Sequence, residues 1–287
     1  MNELILNKQQ ELGFMSRTLA QISLPHSKLD TNYFERSTGL MTLSVTSNPK
    51  IGIPYGTYPR LLLAWLCTEA IRTQSPNIHL GINQTDFLKK LKLHNGGSYI
   101  HPLKDQTNRL LSSLFRLDFK DDEVKGFKNI LLARGGFEFW EPRTGDWETH
   151  ISLTEDFFYD VIEHPVPLDL SVLHAIRKSP MCMDVYTWLV YRAYSIYVTG
   201  NRKVKIKWRD LQLQFGANYG VNTLSTINNQ IKSDVSAHSE GDQQGLRDFK
   251  KSFIYSLRKI SHYHPELADL LSTDSQFLTV GGAKLVR

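Results

Sequence analysis

One succession of hydrophobic patterns occurs twice along this chain, and it constrains the fold more than any single motif. The first pass begins at PKIGIPYGTYPR (49–60), where Gly and Pro mark a turn or short strand and Pro59 is placed to open a helix. In the helix that follows, PRLLLAWLCTEAIRTQS, residues Leu62, Trp65, Leu66, Glu69, Ala70 and Thr73 recur at three-to-four spacing, so most of it belongs in a core. NQTDFLKKLKL reads as a short helix behind an Asn/Thr cap signal and HNGGSY as a turn. HPLKDQTNRLLSSLFRL reads as a long helix with Pro in its first turn. FKNILLARGGFEFWE and GDWETHISLTEDF then alternate apolar and polar residues, as strands joined by turns at RGG and PRTGD.

The second pass follows EHPVPLDL (163–170), expected to be a Pro-punctuated connector. LSVLHAIRKSPMCMDVYTWLVYRAYSIY is one long or broken helix, KVKIKW an alternating strand and WRDLQLQFG a short helix. GLRDFKKSFIYSLRKISHYH is a long helix, and SQFLTVGGAKLVR closes the chain as a hairpin expected to turn at Gly-Gly. Helix, short helix, long helix and strands is the layout of a winged helix-turn-helix. The expectation is an α+β, helix-rich fold of tandem winged helix-turn-helix domains, at 46–163 and 164–287. Residues 1–45, polar and irregular, would form an N-terminal arm. The polar stretch 217–244 would form a mobile excursion between the short and long helices of the second unit.

Charge decides what such a fold could meet. Lys and Arg number 34 against 29 acids, a net charge of +5 that permits nucleic acid and does not require it. The distribution says more. Placed on a helical wheel, Phe249, Phe253, Ser256, Leu257 and Ile260 form one face of the 245–262 helix. Arg247, Lys251 and Arg258 lie opposite, flanked by Lys250, Tyr255 and Lys259, with Asp248 as the only acid nearby. A solvated helix usually mixes both signs, whereas a one-sign stripe is completed by a polyanion. Ile254 falls inside the stripe, where a thymine methyl could meet it. The helix also holds the recognition position of its unit, and the strands at 276–287, with Lys284 and Arg287, would brace the neighbouring backbone.

Two further strips stay open. In the first unit, Lys104, Asn108, Arg109, Ser112 and Arg116, with Asp105 among them, lie opposite a stripe of Leu103, Leu110, Leu114 and Leu117, facing phosphates, a second subunit or solvent. Lys203, Lys205 and Lys207 share one side of a strand, either guarding a sheet edge or touching phosphates.

At these stretches the sequence resembles the plasmid-encoded RepA replication initiator family and its TrfA-type relatives. The resemblance rests on IPYGTYPRLLLAWLCTEAIRT, NGGSYIHPLKDQTNRLLSSLF, KWRDLQLQFGANY and RDFKKSFIYSLRKISHYHPE, and covers about residues 45–287. It implies two winged-helix domains that bind repeated sites in double-stranded plasmid origin DNA, with opening of the duplex and recruitment of host replication initiator and helicase proteins. It also implies that the C-terminal unit makes the main major-groove contacts through Arg247, Lys250, Lys251, Tyr255, Arg258 and Lys259. The N-terminal unit would add backbone contacts and self-association between monomer and dimer. The insert at about 217–244 departs from the family pattern.

Enzymatic readings fare worse. His262 and His264, with Tyr191, Tyr194 and Tyr197, superficially imitate a rolling-circle nicking centre, but the histidines end a basic helix just before Pro265. The phosphate loop GxxxxGK[ST] is absent, and DFKDDEV reads as a solvated acidic turn. No catalytic residue, metal site or cofactor is expected. Cys67 and Cys182, far apart in apolar patterns, are expected to be buried thiols in a reducing bacterial cytoplasm, and no segment is expected to enter a membrane. A double winged-helix autorepressor without initiator activity is the alternative.

Overall fold

The computed structural model describes residues 11–38, 41–120, 125–134, 150–216 and 235–286. Two long helices stand at its centre: α1 (Thr57–Thr73) and α6 (Pro180–Val198). The spacing predicted one buried stripe on the first of these. Instead Leu61, Leu62, Leu63, Ala64, Trp65, Leu66 and Cys67 are all buried, so α1 is covered on every side. The same holds for Met181–Val190 of α6. Both thiols are buried and free, and burial pushes that of Cys67 up to about 12.

What covers α1 is the segment expected to be an irregular arm. Residues 12–46 carry three strands: β1 (Leu12–Ser16), β2 (Tyr33–Ser37) and β3 (Met41–Thr46). Phe14 N–H donates to Thr68 Oγ1 of α1 at 2.9 Å. The strand signal is the alternation of Met41, Leu43 and Val45, all buried, diluted by Ser and Thr. The expected connector is likewise a strand, β8 (Pro165–Asp169), antiparallel to β1 with Phe14 opposite Pro167. Proline is compatible there because the sheet has only these two strands, each an edge.

Between these lie β4 (Asn77–His79), α2 (Gln84–Lys90), α3 (Gly97–Leu111), β5 (Leu114–Lys120), β6 (Lys125–Leu131), β7 (His150–Ser152) and α4 (Glu155–Glu163). The sheet order β2-β3-β5-β6 adds the arm hairpin to the strands after α3, and β4 pairs with β7. Asn83 caps α2 as expected, accepting from Asp86 N–H at 2.9 Å. Helix α3 differs from expectation at both ends. It starts at Gly97, so Pro102 is inside it, where the bond it cannot donate leaves only the carbonyl of exposed Ser98 to solvent. It stops at Leu111, and Ser113 Oγ returns to Arg109 O at 2.7 Å. Leu114, Arg116 and Leu117 therefore sit on β5, whose sequence LFRLDFK alternates.

In the second half the helix is broken, as one of the two readings had it: α5 (Leu170–Ala175) precedes α6, and Ser179 Oγ caps α6 by accepting from Cys182 N–H. Then come β9 (Lys203–Lys207), α7 (Trp208–Phe215), α8 (Val235–Tyr263), α9 (Pro265–Ala268), β10 (Leu271–Thr273) and β11 (Phe277–Gly281). The three strands form one antiparallel sheet, β10-β11-β9. Helix α8 starts ten residues earlier than expected, which removes 235–244 from the predicted excursion. The remainder of that excursion (217–234), the RGG and PRTGD turns beyond Arg134, most of the DFKDDEV turn, residues 1–10 and Arg287 lie outside the described residues. The closing hairpin turns at Asp274–Gln276, not at Gly281–Gly282. Gly282 instead packs on α6, where a Cβ would meet Tyr197 N at 2.8 Å. Edge-to-face pairs among Trp188, Phe215, Phe253 and Trp208, with Phe249 tilted against Phe253, join α6, α7 and α8 at centroid distances of 5.4–5.9 Å.

The two halves meet over a buried ion pair. Arg60 of α1 is 4% exposed and Asp184 of α6 is 8% exposed. Arg60 Nε and Nη2 donate to the two Asp184 oxygens at 2.6 and 2.7 Å. The remaining guanidinium donors reach Leu24 O, Pro25 O and Gly56 O, so all five N–H groups are used. Ser23 Oγ, at 2.6 Å, and His26 Nε2, at 3.1 Å, complete the shell of Asp184. Burial alone would raise the Asp184 carboxyl, but Arg60 and His26 outweigh it and hold the pKa at about 2.

Removing one partner strands the other charge. Asp184→Ala is expected to lower stability by about 3–5 kcal/mol in urea unfolding, and a joint Arg60→Met/Asp184→Leu change should recover much of that loss. Burial holds His26, His174 and His264 below their ordinary 6.5, His174 at about 4. The unfolded chain therefore binds protons on them first as pH falls. Stability should be full above about 6.5 and decline toward pH 4, checked by urea unfolding between pH 7.5 and 4.5.

Candidate nucleic-acid interface

Helix α8 sorts its side chains as the wheel predicts. Phe249, Phe253, Ser256, Leu257 and Ile260 are buried, and Arg247, Lys251, Tyr255 and Arg258 are exposed, Tyr255 by 66%. Lys259 is half-buried. Among the described residues no carboxylate pairs with Arg247, Lys251 or Arg258. Asp248, the nearby acid, accepts from Gln244 Nε2 at 3.0 Å. Among the described residues the face is therefore a cationic stripe with no carboxylate partner, on a helix anchored by aromatic packing.

Two members of the expected stripe sit differently. Ile254 is half-buried and packs against the core, because it lies beside the apolar face rather than at the centre of the exposed one. Lys250 turns back onto the protein, with Nζ donating to Asp274 O at 2.7 Å and Ser275 O at 3.2 Å and lying 4.9 Å from the Trp208 ring centroid.

Strand β9 presents Lys203, Lys205 and Lys207 outward, alternating with half-buried Val204 and Ile206. It is an edge strand, and Lys205 lies over the Phe277 ring at 5.8 Å. The expected brace at Lys284 is not beside the hairpin turn. Ala283 N–H donates to Ala193 O, and Gly281 faces Lys203, which puts exposed Lys284 near α6 and the start of β9.

The first half brings its candidates together less well. Lys104 is half-buried and Asn108 exposed on α3. Arg109 bonds Asp105 at 2.8 Å and lies 5.5 Å from the Tyr55 ring, packed so closely on Gly52 that a Cβ there would meet Nη1 at 2.3 Å. Arg116 is on β5, bonded to both oxygens of Asp118 and stacked 4.1 Å over Phe127. That hydrogen-bonded pair lowers the Asp118 pKa and raises that of Arg116. Both arginines already hold anions. Sequence reasoning had put Arg116 on the helix; the clue against it is the alternation of LFRLDFK after two serines.

The two histidines that suggested a nicking centre diverge. His262 is exposed against Tyr263, whereas His264 is buried beside Tyr186, its pKa lowered by burial. Tyr191 is half-buried with Arg17 over its ring, while Tyr194 and Tyr197 are exposed. Among the described residues no group of three or more His, Cys, Asp or Glu could hold a metal ion, and no helix is long and apolar enough to cross a membrane.

Comparison with solved structures finds the crystal structure of selenomethionine derivatives of domains 2 and 3 of RctB, at 11% identity over 94% of this chain and 98% of that one, TM-score 0.48. A second RctB domain 2-3 structure matches at 13% identity over 93% and 97%, TM-score 0.46. No curated protein matches. The family model of plasmid-encoded RepA proteins matches residues 53–210, from the turn before α1 into α7 and thus ahead of the basic helix. That span is more than half of the sequence, and it includes the Pro-, Tyr- and Trp-bearing helix on which the resemblance first rested: this chain belongs to the plasmid-encoded RepA family of replication initiators.

Proposed function

We propose that this protein binds repeated sites in its plasmid's origin sequence-specifically, with α8 in the major groove. The observation that carries this reading is the exposed stripe Arg247, Lys251 and Arg258 around Tyr255, without a carboxylate partner among the described residues, on a helix whose other face is locked into the core. Like charges four residues apart repel by a few tenths of a kcal/mol in water; a phosphate backbone turns that cost into attraction and releases counterions. The order α6, β9, α7, α8, β10, β11 with a three-stranded sheet supports reading 164–287 as a winged helix-turn-helix, and α1, β4, α2, α3 and the following strands support a second at 46–163. In this reading the first unit adds phosphate contacts through Lys104 and Asn108 and pairs subunits. Lys203, Lys205 and Lys207 supply a flanking electrostatic strip. Binding opens the duplex, and host replication initiator and helicase proteins join.

Replacing Arg247, Lys251 and Arg258 together by Ala should lower the slope of log K against log salt by roughly 2.7, about 0.9 per phosphate, and weaken binding by orders of magnitude at moderate salt. The measurement is a salt-titrated binding assay on duplexes from the gene's own upstream region and on random duplex. Unchanged affinity would put the DNA face elsewhere. Arg109→Ala and Arg116→Ala should each leave the slope within about half a unit of wild type, since their charges are already spent on Asp105 and Asp118. Maintenance of an origin plasmid carrying this gene alone separates an initiator from a repressor.

A further inference from the structure

The turn between β10 and β11 is held from outside by two helices. Asp274 shapes it locally, with Oδ1 accepting the N–H groups of Gln276 and Phe277 at 2.7 Å each. The carbonyl of Asp274 accepts Trp208 Nε1–H at 3.1 Å from α7 and Lys250 Nζ–H at 2.7 Å from α8. Lys250 also donates to Ser275 O at 3.2 Å, and Trp208 N–H donates to Gln276 O at 3.1 Å. An ammonium has three donors and no acceptor. Here two are spent on carbonyls, and the charge rests on the face of Trp208.

We infer that Lys250 is a positioning residue: it fixes the 274–276 turn against α8, so that Ser275 and Gln276 meet the DNA in register with the Arg247–Arg258 stripe, and it neutralises no phosphate. The inference rests on the proposal that α8 reads DNA. It separates Lys250 from Lys251, its neighbour in sequence, whose side chain is exposed and has no carboxylate partner among the described residues. Two of the three ammonium donors are held by the turn, so Nζ is fixed over Trp208 instead of extending along the stripe as Lys251 does. The turn itself, Thr273–Phe277, contains no Lys or Arg, so its contacts release no counterions. Its contribution is orientation, which phosphate-independent contacts provide without adding to the salt slope.

The test is Lys250→Met in the full chain. Methionine keeps an unbranched stem on Trp208 and removes the donors. The salt slope should stay within about 0.3 of wild type, whereas Lys251→Ala in the same titration should lower it by about 0.9. Affinity for the upstream duplex should fall about tenfold with affinity for random duplex unchanged, the size expected when one oriented contact region is loosened. Hydrogen exchange at the Trp208 amide should accelerate, since its acceptor in the turn is released. A slope reduced by about one would make Lys250 a phosphate contact and overturn the inference. An unchanged ratio of specific to random binding would overturn it as well. If Lys250→Met does not fold, the lysine ammonium resonances of the wild-type protein decide: Lys251 should shift on adding duplex and Lys250 should not, and a matching shift at Lys250 refutes the assignment. If Lys251→Ala leaves the slope at its wild-type value, the reading of α8 fails first and the role of Lys250 falls with it.

Discussion

The Arg60–Asp184 pair is the interaction on which the arrangement of the halves depends. One charge is on α1 and the other on α6, and the carbonyls that finish the guanidinium come from residues 24, 25 and 56. Three stretches of chain are thus tied at one buried point. Buried ion pairs contribute little net stability, because desolvation offsets attraction, but they tolerate very few geometries. Here the geometry is closed: every guanidinium donor has an acceptor, and Asp184 receives Arg60, Ser23 and His26 together.

A second buried carboxylate does the same for the edge of the first half. Asp160 of α4 accepts Ser16 Oγ–H at 2.6 Å, Thr18 Oγ1–H at 2.9 Å and Lys128 Nζ–H at 2.7 Å, joining β1, the turn after it and β6. Arg36 of β2 donates to Gln214 O at the end of α7, and Gln214 Nε2 donates to Gln21 O. The N-terminal segment therefore touches the second half at α7, through Arg36 and Gln21, as well as at α6, through Ser23 and His26. The short helix that precedes the basic one is held by residues nearly two hundred positions away.

The basic helix is built on a division of labour. Its aromatic face makes edge-on ring contacts that leave little freedom to rotate, and that rigidity is what keeps Arg247, Lys251 and Arg258 on one line. Lysines of similar sequence context have different fates. Lys251 extends to solvent, while Lys250 is drawn to the carbonyls of a turn 24 residues later. A wheel projection puts Lys250 on the flank of the stripe and Lys251 within it, but it records angle about the axis and not what the neighbouring hairpin offers.

Period alone determined the core helices α1 and α6, the alternation of β9 and the buried and exposed faces of α8, because each follows from neighbours within a few residues. It left open whether 170–197 is one helix or the pair α5 and α6. The strands at 12–16 and 165–169 were not legible, since each is only five residues long, one interrupted by Gly13 and the other by two prolines, and each pairs only with the other, more than 140 residues away. Arg109 and Arg116 stood open in sequence between phosphates, a second subunit and solvent, and are bound in the fold. Asp105, four residues before Arg109 on α3, was visible in the spacing, whereas the Arg116–Asp118 pair follows from β5 setting both side chains on one face of a strand. The sequence by itself determined most of the helices and the apolar and basic faces of α8, but not α4, whose first turn (155–157) reads as the end of a strand, nor the ends of α3. Only the tertiary structure decided that Lys250 is held by carbonyls 24 residues away while Lys251 extends to solvent, because that depends on where the packed core sets the β10–β11 turn.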